Sequence, residues 1–78
     1  MTDELRQNDV VALLEDVPEQ RLKRGDVGTV IEVYDRTPHH PGGYTVEFVD
    51  AAGAVYAEAD FTDAARLMRL NFRLRDAA

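Results

Sequence analysis

Two adjacent histidines, His39 and His40, and the nearby Asp35 are the residues of this 78-residue chain best suited to hold a metal. Imidazole nitrogens and carboxylate oxygens are ordinary ligands for zinc and related divalent ions, and histidine titrates near neutrality, where a pH-dependent contact would act. The spacing works against a shared ion, because neighbours on an extended chain point opposite ways. His39 and His40 also lie between Pro38 and Pro41. A solvated loop is the expectation, with no metal and no cofactor.

Nucleophilic catalysis lacks its usual parts. The chain has no cysteine and no serine, and its single lysine, Lys23, stands in a polar stretch. A covalent mechanism needs an activated nucleophile with a base beside it, so the chain is expected not to be an enzyme.

Binding residues are easier to find. Tyr34 and Tyr56 fall out of phase with the apolar residues of their segments, and Glu32, Glu58 and Asp60 flank them. Tyrosine is favoured at protein interfaces. These five, with the His39–His40 loop, form the expected surface for a protein partner. Arg21, Lys23 and Arg24, together with Arg66, Arg69, Arg73 and Arg75, would suit RNA if the fold gathered them into a stripe. The net charge of −6, from 15 acidic against 9 basic residues, opposes phosphate backbones and suits a basic protein.

Short strands must position these residues. Val10 to Leu14 is a brief apolar run that Pro18 closes off. Pro18 to Asp26 reads as a polar loop anchored by Leu22. Val27 to Tyr34 is rich in β-branched residues, and Tyr44 to Val49 alternates, sending Tyr44, Val46 and Phe48 inward. The segment 36–43, with two prolines and two glycines, cannot sit inside a sheet. A turn at Asp50 to Gly53 returns the chain through Val55 to Phe61, with Val55, Ala57, Ala59 and Phe61 on one face. Thr62-Asp63-Ala64 suits a capped turn, and 65–70 fits either a last strand or a helical turn. The expected fold is all-β: a small SH3-like barrel of about five antiparallel strands, with a short 3-10 or helical turn before the last. Residues 1–8 read as a frayed lead-in, 9–70 as the barrel, and 71–78 as a tail with Phe72 and Leu74 as anchors.

A chain this short holds one domain, whose stability is marginal. Without cysteines, reinforcement must come from tight packing, self-association or a partner. The start, Met1 to Arg6, has no basic and apolar leader, and no apolar run approaches the roughly 20 residues of a membrane span. A cytoplasmic location is expected.

The segment Gly25-Asp26-Val27-Gly28-Thr29-Val30-Ile31-Glu32-Val33 resembles the KOW motif, found in SH3-like barrels of ribosomal proteins and transcription elongation factors. That likeness implies RNA binding. Val30 and Val33 can both turn inward only if the strand bends or bulges between them. The wider pattern resembles a family of small bacterial domains of unknown function, number 4926. The resemblance is carried by Asp9 to Pro18, Leu22 to Val33, Tyr44 to Phe48, Gly53 and Tyr56-Ala57, covering roughly residues 9–70. It implies a non-catalytic module with an antitoxin or immunity role, inhibiting a protein encoded by a neighbouring gene. Arg21 to Val33 and Pro38 to Phe48 also resemble the SH3-like part of the nitrile hydratase β subunit and its accessory proteins. In those enzymes the metal is held by cysteines of the other subunit, so this likeness implies an assembly accessory.

Overall fold

The β-branched and alternating runs become strands. In the computed structural model, which describes residues 4–71, five strands form one antiparallel sheet. They are β1 Val10–Leu13, β2 Val27–Tyr34, β3 Gly43–Val49, β4 Val55–Phe61 and β5 Leu67–Leu70. Their order in the sheet is β4-β3-β2-β1-β5. The fold is the expected all-β, SH3-like barrel, with a 3-10 turn, Ala64–Arg66, directly before the last strand. Asp63 caps that turn, its Oδ1 accepting the Ala65 N–H at 2.9 Å. Among the described residues no helix is long and apolar enough to cross a membrane.

The sheet is rolled. β4 and β5 are its two edges, and in a flat five-stranded sheet they would lie about 19 Å apart, at about 4.8 Å per strand. Instead Ala59 and Phe61 of β4 share one core cluster with Leu67 of β5, along with Val11, Leu13, Val30, Val46 and Phe48. The bend is built into β2. Val30 pairs with Val46 and Glu32 with Thr45, leaving Ile31 as the extra residue of a bulge. Gly28 permits close packing of β2 on β3, because a Cβ there would lie 2.6 Å from Val46 Cγ1 and 2.9 Å from Phe48 Cδ1. Gly25, at φ +91°, turns the chain into β2.

Several expectations need correction. Residues 4–8 are anchored rather than frayed: Leu5 is buried in the core, and the Asn8 N–H donates to the Val30 carbonyl at 2.7 Å. Val33 lies opposite Tyr44 on the core side but beyond the core's margin, 41% exposed. Val55 does not join the inward face of β4. Phe48 pairs with Ala57 and Val49 with Val55, so Tyr56 is the extra residue of a second bulge, and Val55 is 52% exposed. Pro18–Gln20, inside the expected loop, forms a 3-10 turn, and Leu22 behind it is buried as anticipated. Phe72, Leu74, Arg73 and Arg75 lie outside the described residues.

Candidate functional site

The meander β2-β3-β4 positions most of the expected binding residues. Its outer face follows from the register, since directly paired residues share a face and residues two apart in one strand share it too. Glu32, Thr45 and Asp60 form one cross-strand row, and Thr29, Glu47 and Glu58 form the next. The three strands therefore carry four carboxylates, Glu32, Glu47, Glu58 and Asp60, on this face, and contain no Lys, Arg or His at all. None of the four is ion-paired among the described residues. Gln20 reaches the rim of β4, where its Nε2 donates to the Glu58 carbonyl at 2.8 Å and covers part of the free edge.

At one end of this face a polar chain closes around Thr45, the buried polar residue of the barrel. Thr45 Oγ1 donates to Asp60 Oδ1 at 2.6 Å and lies 3.0 Å from Tyr34 Oη. A hydroxyl has one proton, so with Thr45's committed to the carboxylate, the phenol of Tyr34 donates to Thr45. The His40 ring packs on Tyr34, centroid to centroid 5.7 Å. A tight turn places it there: the Thr37 N–H donates to the His40 carbonyl at 2.8 Å, across Pro38 and His39. The Gly42 N–H donates to His40 Nδ1 at 2.9 Å, which leaves the proton of the neutral ring on Nε2. Tyr34, His40, Tyr44, Asp60, Gly43 and Thr62 surround a cleft of about 270 Å³. Gly43 is required, since any Cβ would run into the Phe61 carbonyl.

The remaining candidates are distributed differently. Tyr56 does not join Tyr34: its bulge turns it toward Phe48, with ring centroids 6.4 Å apart. Partial burial, with the charges of Asp26 and Asp50, pushes its phenol pKa above the usual tyrosine value. Tyr56 is nevertheless 50% exposed, so solvent moderates that effect. His39 is exposed, its N–H donating to Thr37 Oγ1 at 3.2 Å. Among the described residues no three His, Asp or Glu side chains gather as metal ligands.

The basic residues of the RNA reading are engaged or scattered. Arg66 Nε donates to Glu15 Oε1 at 2.6 Å and its guanidinium lies over the Phe61 ring at 5.3 Å. Arg69 approaches Asp9 at 3.9 Å. Arg21 and Lys23 border a separate hollow beside Pro18 and Leu22, while Arg24 is held, among the described residues, only through its backbone N–H, which donates to Asp16 Oδ1 at 2.8 Å. Thr45, Glu47 and Tyr44 were not singled out from the sequence as site residues. Alternation did place Thr45 and Glu47 on the polar face of their strand, but a single strand does not reveal which residues of β2 and β4 face them.

A family model described as a domain of unknown function (DUF4926) matches residues 7–65. No curated protein and no solved structure matches the chain.

Proposed function

The chain belongs to the DUF4926 family, and on that footing we propose that it is a non-catalytic protein-binding module whose β2-β3-β4 face docks a basic protein. In its most concrete form it is an antitoxin- or immunity-type inhibitor that covers a cationic surface of the protein encoded beside it. One observation carries this reading: a three-stranded face with four carboxylates and no basic residue in any of its strands. Such a face repels itself, and a cationic partner relieves the repulsion while guiding association. The exposed Tyr34 at its end adds an amphipathic contact of the kind interfaces favour. The KOW-like RNA reading draws less support, because Arg66 and Arg69 already face carboxylates.

Co-expression with the product of the neighbouring gene tests the proposal. The two proteins should co-purify, the complex should weaken with salt, and the Glu47→Lys/Glu58→Lys double variant should abolish it. A neighbour that is harmless alone and never co-elutes would overturn the antitoxin form. Unchanged capture by the double variant would overturn docking on this face.

A further inference from the structure

We propose that the cleft between Tyr34, His40, Tyr44 and Asp60 is a binding site for a guanidinium group, an arginine side chain of the partner. The inference rests on the docking reading above and assigns this cleft its own ligand. A volume of about 270 Å³ admits one long side chain. Its walls combine aromatic rings with a carboxylate, the pairing that best suits a planar cation able to stack and hydrogen-bond together. The hydrogen-bond chain orients these groups. Thr45 holds Asp60 by Oδ1, leaving Oδ2 as an acceptor, and Tyr34 turns its proton inward to Thr45, leaving its oxygen lone pairs outward. The donors of a guanidinium therefore meet acceptors on both sides of the cleft.

The same chain already holds a guanidinium in this manner. Arg66 lies over the Phe61 ring at 5.3 Å while its Nε donates to Glu15 at 2.6 Å. The Tyr34 cleft repeats that combination of ring and carboxylate, with the cation to be supplied from outside. The position also fits docking, since Asp60 belongs to both the cleft and the carboxylate face.

The test uses the full chain and an acetylated Gly-Arg-Gly amide, with the citrulline peptide as its uncharged isostere, in two-dimensional amide NMR. The arginine peptide should give saturable shifts at Gly42, Gly43, Asp60 and Thr62, and the citrulline peptide none. Asp60→Asn should weaken arginine binding about tenfold, as expected for loss of a charge-assisted hydrogen bond, with the dispersed spectrum confirming that the variant folds. Equal shifts from both peptides, shifts spread over the Glu47–Glu58 face instead of the cleft, or no saturation would each overturn the proposal. Failure here leaves the docking reading standing if the neighbour still co-purifies, so the two are judged separately.

Discussion

Glu47 of β3 stands directly opposite Glu58 of β4, two acidic residues paired on one face of the sheet. Like charges so placed destabilise a sheet, and none of the three strands carries a cation to offset them. Glu58→Lys should therefore stabilise the isolated chain by about 0.5 kcal/mol, measured by urea unfolding at low salt. The same substitution should weaken docking of a basic partner. A variant that is no more stable than the parent would mean that the two side chains already splay apart into solvent.

Packing around Gly28 gives a sharper expectation. A methyl group there meets Val46 Cγ1, the Glu47 carbonyl and Phe48 Cδ1, all closer than 3.0 Å. Two of these contacts are buried side chains and the third is backbone, so little can give way. Gly28→Ala should cost about 2 kcal/mol through overpacking, read as a lower urea midpoint with an unchanged slope. An unaffected midpoint would show that β2 and β3 can separate without loss.

How much of this was legible in the sequence depends on whether a feature lies within one strand or between two. Val30 and Val33 announced a bend in β2 by their spacing, and the bulge at Ile31 lies between them. The bulge at Tyr56 had no such signal. It depends on how β4 registers against Phe48 and Val49, and regular alternation along β4 sent Val55 to the wrong side. Tyr34 and Asp60 were legible as exposed polar-face residues, whereas their link through Thr45 needs three strands to be aligned. Leu5 was missed because a lone apolar residue among polar ones has no period.

Leu5 supplies a test of that lesson. It is buried with Val30, Phe61 and Leu67 in one cluster, from a segment that precedes the first strand. Leu5→Ala should cost about 2 kcal/mol, the lower end for a core leucine because a segment outside the sheet can partly collapse into the gap. Thermal unfolding of the variant and of a chain lacking residues 1–8 should both show the loss. A full-stability truncation would mean that the lead-in covers the core without supporting it.

Arg66 separates charge from packing. Its ion pair with Glu15 is substantially exposed, and such pairs are worth little, while its stack on the buried Phe61 ring is shielded. Arg66→Ala should therefore cost about 1 kcal/mol, and Glu15→Gln less than half of that. Urea unfolding of both variants checks the order. Equal costs would make the ion pair the dominant part.

Tyr56 predicts the behaviour in alkali. Partial burial, then the negative charges of Asp26 and Asp50, raise its pKa above the ordinary value of 10.0. Between that value and the raised one, the folded chain keeps a phenol proton that the unfolded chain has released. Stability contributed at this position is thus fully present below about pH 10 and declines as pH climbs through the folded value. Tyr56→Phe removes the titrating group, so its unfolding free energy should fall less steeply above about pH 10 than that of the parent. Phenolate absorbance gives a second readout: the variant should lose the part of the titration lying above the usual tyrosine range. Parallel pH profiles for the two proteins would show that the ring's contact with Phe48 and the nearby carboxylates leave its ionisation untouched.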